Sequence, residues 1–300
     1  MTEIDHVPGT APVGTPGLPP VTVVTGADRP YGAVIAALLT QLGTEVVSLD
    51  SPMDDQWDLW RGVPALVHLV AETGAGLVVP TLQRELLPIA VARPLFAEVD
   101  AMVMVAGPGP VALVQDRLFL LAHLRSRRIP VPDFLGPQEI RSPSDALRRL
   151  GGRALALPRR SARRRSRHVL TSADDPYWAQ IDETKLLMAS PICERYQVLI
   201  HRPTQGSDGR SAAVVHDPIG PEGEGAAPCP AASTRAVRTT DDEVERVAMA
   251  AVRAVGITGP SRAEVRRDGQ GAITVTDVVP LFGRHLRLAP ELLTAALLSP

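Results

Sequence analysis

Lysine and cysteine are almost absent from this sequence of 300 residues. Lys185 is the only lysine among the 31 basic residues, and Cys193 and Cys229 are the only cysteines. Two cysteines at this spacing form neither a disulfide framework nor a zinc-binding pattern. We therefore expect a protein of the reducing cytoplasm.

Long apolar runs, a strong net charge and several catalytic motifs are also missing. No apolar run approaches the roughly 18 residues of a membrane span, and no secretory signal pattern is present. The formal net charge of −2 provides no overall field that would favour nucleic acid or a membrane as partner. The histidines do not pair at metal-binding helix spacing, and neither GxSxG nor the Walker GxxxxGK[ST] pattern occurs.

The first part of the chain predicts an α/β fold. Residues 1–20, rich in proline and glycine, are expected to form a disordered tail. A buried strand at Val21–Thr25, a helix at Pro30–Leu42 and a strand at Glu45–Leu49 form a β-α-β unit, which implies a parallel sheet. Further along, a single helix is predicted at Val111–Arg127, and hairpin-forming strands make the C-terminal part α+β.

The segment TGADRPYG after the first strand invites comparison with dinucleotide-binding dehydrogenases. Gly26 and Gly32 fit the glycine pattern, and Asp50 stands where a ribose-binding acid would lie. However, Pro30 replaces the glycine that lets the backbone approach a pyrophosphate. The catalytic Tyr–Lys pair is also missing from the sequence. A Rossmann-type oxidoreductase is therefore the least favoured of our three hypotheses for the function, and the other two are given at the end of this section.

Residues 263–278 predict a hairpin with two acidic side chains. Asp-Gly at 268–269 is a turn signal between two β-prone runs. Pairing of the arms around this turn places Glu264 and Asp277 on neighbouring strands. Two converging carboxylates repel each other unless a cation or a proton lies between them. They are candidate metal ligands, and the alternative is that both are solvated on an edge hairpin.

An arginine-rich run extends from Arg159 to Arg167. Six of its nine residues are arginine. Such a run is most often a solvated loop, and the alternatives are an anion-binding loop or a nucleic-acid contact. No aromatic residue is interleaved, which disfavours base stacking.

Five phrases in the right order resemble the ATP-grasp superfamily, in particular its carbamoyl-phosphate synthase large-subunit-like branch. The first three are VTVVTGADRPYGAVIAALLTQLG, EVVSLD and GLVVPTLQRELLPIA; the last two are QDRLFLLAHLRSRRIPVPDF and VRAVGITGPSRAEVRRDGQGAITVTDVVPLFG. The resemblance covers roughly residues 21–290. It implies a Rossmann-like pre-ATP-grasp domain at residues 21–112 and an ATP-grasp domain at residues 113–300, with ATP and Mg²⁺ as cofactors.

The resemblance also implies roles for individual residues. Arg117 matches a basic residue that reaches the nucleotide, and Glu194 partly matches the acidic residue near the hinge strand. Glu264 and Asp277 stand at the positions of the metal-ligating acids. Arg284 matches a second arginine after the family's NPR triplet, where it would stabilise charge during catalysis.

The family signature is degraded at three positions. Val279 replaces an asparagine ligand of Mg²⁺, and Leu281 replaces the arginine that steadies the transferring phosphoryl group. Leu157 replaces the basic residue that holds phosphate, and Arg159 can substitute for it only through a shift in register. Such losses predict little phosphoryl transfer.

Our first hypothesis is therefore a catalytically degraded ATP-grasp protein that binds a nucleotide or another small anion and serves a partner enzyme. The alternative is an active ATP-dependent carboxylate–amine ligase of small-molecule metabolism. Relatives are often dimers, so the resemblance makes a homodimer a candidate assembly, and the sequence itself does not give the oligomeric state.

Overall fold

The computed structural model describes residues 18–50, 62–160, 168–190, 193–202, 211–217 and 236–298. Residues 1–17 of the predicted tail and residues 161–167 of the arginine-rich run lie outside these ranges. Among the described residues, no helix has both the length and the apolar character needed to cross a bilayer.

The N-terminal part is a four-stranded parallel sheet with the order β2-β1-β3-β4. Its elements are β1 (Val21–Thr25), α1 (Pro30–Gln41), β2 (Glu45–Leu49), α2 (Gly62–Thr73), β3 (Leu77–Val79), α3 (Leu86–Val91), α4 (Arg93–Ala97) and β4 (Met102–Val103). The predicted β-α-β unit is thus confirmed.

Two antiparallel sheets form the rest of the molecule, with the orders β5-β8-β6-β7 and β11-β10-β9-β12-β13. We call these the small sheet and the large sheet. The helices are α5 (Pro108–Gln115), α6 (Arg117–Ser126), α7 (Pro143–Arg149), α8 (Asp242–Val255) and α9 (Glu291–Leu298). The small sheet contains β5 (Phe134–Leu135), β6 (Ala154–Pro158), β7 (His168–Leu170) and β8 (Lys185–Ala189). The large sheet contains β9 (Cys193–Arg202), β10 (Ser211–His216), β11 (Val237–Thr239), β12 (Gly259–Asp268) and β13 (Ile273–Val279).

The single helix predicted at Val111–Arg127 is divided into two helices in the structure. The residues of Val111–Arg127 belong to α5 and α6, which are separated at Asp116. Asp116 has extended backbone angles (φ −109°, ψ 107°), and its carboxylate accepts hydrogen bonds from Leu118 N at 3.1 Å and Phe119 N at 3.4 Å. Asp116 therefore caps α6 as a new helix, which the apolar periodicity across the break concealed.

The predicted hairpin of β12 and β13 is confirmed. Asp268 Oδ1 accepts from Gln270 N and Ala272 N, both at 2.9 Å, which fixes the turn. One face of the large sheet packs on α8, whose buried side is apolar. On the opposite face, Leu199, Ala213 and Val215 pack against α9 and the N-terminal part.

A buried ionic cluster ties β9 and β10 to the 3₁₀ turn Arg284–Leu288. The Asp217 carboxylate accepts from Arg195 and from His285 Nε2, the latter at 3.1 Å. Burial opposes ionisation, but the hydrogen bond from His285 and the charge of Arg195 bring the pKa of Asp217 down to about 2. Burial lowers the pKa of the His285 imidazole even though the Asp217 carboxylate opposes this shift.

Gly32→Ala should destabilise the protein. An added Cβ at Gly32 would lie 2.1 Å from the Gly26 carbonyl oxygen, so α1 must move away from the turn that follows β1. We expect the free energy of unfolding to fall by about 1–3 kcal/mol or more, because the contact is with backbone. Urea denaturation measures this loss.

The matched control is Gly109→Ala in α5, where an added Cβ meets no heavy atom within 4 Å. This substitution should leave stability unchanged or raise it by up to about 1 kcal/mol. Equal denaturation midpoints for the two variants would contradict the close packing of α1 on β1.

His285 should make stability depend on pH below about 6.5. Because its folded-state pKa is lowered, the unfolded chain takes up a proton there that the folded chain does not, so stability falls as pH falls. Asp217 remains ionised in this range. His285→Gln should reduce the slope of unfolding free energy between about pH 7 and pH 5, measured by urea titration.

The control for this prediction is His68→Gln, because His68 is exposed on α2. An unchanged slope in His285→Gln, or an equal reduction in His68→Gln, would show that His285 is not the titrating group.

Candidate functional site

The candidate site lies on the face of the large sheet opposite α8. Side chains alternate along a strand, and antiparallel partners share a face. Register pairs Glu264 with Asp277 on one side and with Gln197 on the other. These three side chains therefore lie together, and we call this surface the cleft face.

Glu264 is buried and accepts from three side chains. Its Oε1 accepts from Thr276 Oγ1 at 3.0 Å and from Arg266 Nη2 at 3.3 Å. Its Oε2 accepts from Gln197 Nε2 at 3.2 Å, and Arg195 Nη1 is 4.0 Å away. A bulge after Glu264 turns Thr276 toward it. Both carboxylate oxygens are thus already engaged.

Arg117 connects the large sheet to the small sheet. It is the first residue of α6; its Nη2 lies 3.1 Å from Asp277 Oδ2, and its Nη1 donates to the Pro158 carbonyl of β6 at 2.8 Å. Both side chains of the Arg117–Asp277 pair are buried. A buried pair of this kind requires good geometry to offset desolvation, so this contact fixes how α6 lies between the two sheets.

Arg159 lies beside Arg117 at the same end of α6. It pairs with Asp116 through two hydrogen bonds, at 2.8 Å and 3.3 Å, and the Arg117 amide donates to the Arg159 carbonyl at 2.8 Å. The Arg159 side chain is 23 % exposed, whereas Arg117 is buried. The structure therefore brings together two of the three predicted nucleotide-binding residues.

A cavity of about 230 Å³ opens beside the cleft face. It lies between the connector at residues 131–133, Ala189 at the end of β8, and the hairpin residues Arg266, Thr274 and Thr276. This volume is smaller than the ~300–1,000 Å³ of most ligand pockets. The cavity is suited to one part of an extended ligand.

The other two predicted site residues lie apart from this group. Glu194 belongs to the opposite face of β9, where it accepts from Tyr196 Oη at 2.6 Å. Arg284 has a 60 % exposed side chain, and its Nη2 is 3.6 Å from Asp217 Oδ2. Through Asp217 and Arg195, Arg284 is nevertheless connected to Glu264.

Sequence reasoning missed four residues of the site, namely Arg195, Gln197, Asp217 and Arg266. All four are buried polar or charged residues. Strand alternation could have found two of them: once β9 pairs with β12, the positions that face Glu264 and Arg266 are Gln197 and Arg195. Asp217 follows β10 and had no sequence signal.

The three positions where the resemblance implies a degraded signature are part of the apolar core. Val279 and Leu281 are buried in the cluster that includes α8. Leu157 packs with Leu121, Phe134 and Met188 inside the small sheet. Methyl groups therefore occupy the positions where the family resemblance implies an oxygen ligand and two cations.

The residues present do not fit the implied Mg²⁺ ion. Magnesium requires near-octahedral oxygen coordination and is usually bound through carboxylates, waters and substrate phosphates. Here Asp277 is paired with Arg117, and Glu264 is bonded to Arg266, Thr276 and Gln197. Gln197 Oε1, buried and without a partner among the described residues, adds one neutral oxygen. Three guanidinium groups within reach of these oxygens compete with any divalent ion.

Comparisons with known proteins identify the fold. No protein-family model matches the chain, and no curated protein matches it in sequence. The N5-carboxyaminoimidazole ribonucleotide synthetase of Thermotoga maritima is similar in structure, with a TM-score of 0.59 and 16 % identity over 87 % of this chain and 68 % of that one. The N5-carboxyaminoimidazole synthetase of Staphylococcus aureus, complexed with ADP, matches with a TM-score of 0.66 and 12 % identity over 91 % of this chain and 73 % of that one.

A third match is the biotin carboxylase domain of the 2-oxoglutarate carboxylase of Hydrogenobacter thermophilus, in complex with MgADP, ADP and bicarbonate. Its TM-score is 0.66 at 9 % identity, over 90 % of this chain and 66 % of that one. The chain thus spans about two thirds of the length of these proteins. All three are ATP-grasp proteins. The order of a parallel sheet followed by two antiparallel sheets, together with these matches, shows that this chain has the ATP-grasp fold.

Proposed function

We propose that this protein binds a nucleoside triphosphate, ATP, between its small and large sheets. The observation that supports this most is the convergence of Arg117 and Arg159 at the start of α6, where Arg117 reaches Asp277 of the cleft face. Guanidinium groups are suited to phosphate because their planar donors form paired charge-assisted hydrogen bonds. The matched structures include complexes with ADP.

We propose further that the bound ATP drives a ligation. The matched proteins are synthetases and carboxylases, one of them bound to bicarbonate. They favour an active ligase over the non-catalytic role that the degraded signature suggested. In such a reaction the γ-phosphoryl group passes to an oxygen of a carboxylate or bicarbonate, and ADP leaves. An amine then attacks the carbonyl carbon of the acyl phosphate, and inorganic phosphate leaves.

The chain's own residues have distinct tasks in this proposal. Arg117 and Arg159 hold the phosphate chain, and the apolar residues of the small sheet cover one side of the site. Arg284, exposed at the mouth of the Asp217 cluster, stabilises the negative charge that develops on the transferring group. Asp217 and Arg195 position Arg284 relative to Glu264.

A binding protein without catalysis is the second candidate. It is favoured by the burial of Leu157, Val279 and Leu281 in apolar clusters, because these positions then offer no polar group to the reaction. The protein would then regulate a partner enzyme, and the effect would depend on whether a nucleotide is bound to the protein. The partner enzyme and the homodimer both remain predictions.

Arg159→Ala should weaken ATP binding. The loss of charge-assisted hydrogen bonds to phosphate predicts an increase in Kd of about 10- to 100-fold, measured by isothermal titration of the full chain. The control is Arg148→Ala, since Arg148 is exposed on α7 away from the cleft face. An equal Kd for Arg159→Ala and the wild type would show that Arg159 does not bind ATP. Absence of ATP binding to the wild type would contradict the proposal as a whole.

Arg284→Ala should lower turnover and leave ATP binding intact. The wild-type protein should release ADP in the presence of an acceptor, and the assay uses bicarbonate and a panel of small carboxylic acids and amines. In the variant, kcat should decrease by about 10²–10³. Arg287→Ala, on the same 3₁₀ turn and also exposed, is the matched control. ATP binding without ADP release under any condition would favour the second candidate.

A further inference from the structure

Three buried guanidinium groups surround the two carboxylates at the metal-ligand positions. Arg117 contacts Asp277, Arg266 contacts Glu264, and Arg195 is shared between Glu264 and Asp217. Arg195 and Arg266 are cross-strand partners on the cleft face. Like charges that face each other across a sheet are destabilising unless anions lie between them, so the carboxylates are needed to hold these arginines in place.

We infer that these guanidinium groups take the place of Mg²⁺, and that the site binds the metal-free form of a nucleoside triphosphate. This inference rests on the proposed nucleotide site. Glu264 and Asp277 then serve as counterions that orient the arginines and not as metal ligands. The ligand is therefore the free polyanion, whose phosphate oxygens are not shared with a divalent ion.

The geometry supports this assignment in two ways. First, Arg266 lines the 230 Å³ cavity and contacts Glu264, so it joins the cavity to the carboxylate pair. Second, a guanidinium has five donors in a rigid fork, and the contacts of Arg117 with Asp277 and the Pro158 carbonyl use two of them. Arginine and Mg²⁺ are alternative means of stabilising phosphoryl charge.

The first test uses the unmodified protein and ATP as the probe. Calorimetric titration is performed in EDTA and again with excess Mg²⁺. We expect binding in EDTA to be at least as tight as binding with Mg²⁺, because Mg²⁺ removes the free polyanion. Affinity at least about tenfold tighter with Mg²⁺ overturns the inference while leaving the nucleotide site in place.

The second test is independent of any nucleotide. Mn²⁺ is titrated into the protein, and the free ion is followed by electron paramagnetic resonance. Wild type and Asp277→Asn should be indistinguishable, because Asp277 is a counterion of Arg117. Stoichiometric Mn²⁺ binding that is lost in Asp277→Asn overturns the inference. If ATP does not bind under either condition, the nucleotide proposal fails, and this experiment still decides the metal question.

The third test replaces the guanidinium of Arg266. Arg266→Met replaces the apolar stem of the side chain and removes its guanidinium group, and in EDTA it should weaken ATP binding by about 10- to 100-fold. Because Glu264 is then released from Arg266, Mg²⁺ should restore part of the affinity. The matched control is Arg267→Met, since Arg267 is the next residue and pairs with Asp241 on the other face of β12.

The outcome that contradicts the inference is equal affinity in EDTA for Arg266→Met and Arg267→Met, with both variants confirmed as folded by thermal denaturation. If Arg266→Met does not fold, the wild-type titrations with and without Mg²⁺ still provide the decision.

Discussion

The buried contact between Arg117 and Asp277 is the interaction on which the rest of the site depends. It joins the first residue of α6 to β13, while the same guanidinium holds β6 through the Pro158 carbonyl. Breaking such a buried pair typically costs about 3–5 kcal/mol, because one charge is left uncompensated. The position of the small sheet over the large sheet is therefore set by a charge pair as well as by apolar packing.

A second set of charged side chains forms a continuous network on the same face of the large sheet. Arg284, Asp217, Arg195, Glu264 and Arg266 follow one another across the cleft face in alternating charge. Except for the exposed Arg284, each of these charges is buried next to an opposite charge, which is the condition under which charges are tolerated in a protein interior. Together with the Arg117–Asp277 pair, the network holds both carboxylates of the cleft face beside the apolar residues Val279 and Leu281.

Much of the fold followed from local sequence. The Asp-Gly turn and the β-prone arms around it were enough to place Glu264 opposite Asp277, because the register of a hairpin is fixed by its turn. The first β-α-β unit was predicted for similar reasons, and the tight approach of Gly32 to Gly26 shows why glycine is required there. The break at Asp116 was missed, since apolar periodicity continues across it and only the cap reveals it.

The site itself could be predicted only in part. Glu194 was chosen from a resemblance in sequence, but alternation along β9 gives the cleft face to Arg195 and Gln197. Because neighbouring residues of a strand point to opposite faces of the sheet, the position of a residue in this alternation decides its face. A likeness to a sequence motif does not. Arg266 lies two residues after Glu264, so strand alternation already places the two on one face. Asp217 gained its role from Arg195 and His285, which are distant in sequence, and no local pattern contains that relation.

The most direct test of the guanidinium network is a crystal structure of the protein grown with ATP and Mn²⁺, with anomalous data at the manganese edge. Our account predicts phosphate oxygens within about 3 Å of the guanidinium nitrogens of Arg117 and Arg266, and no anomalous peak between Glu264 and Asp277. A manganese peak coordinated by both carboxylates, with Arg117 and Arg266 turned away, would contradict it.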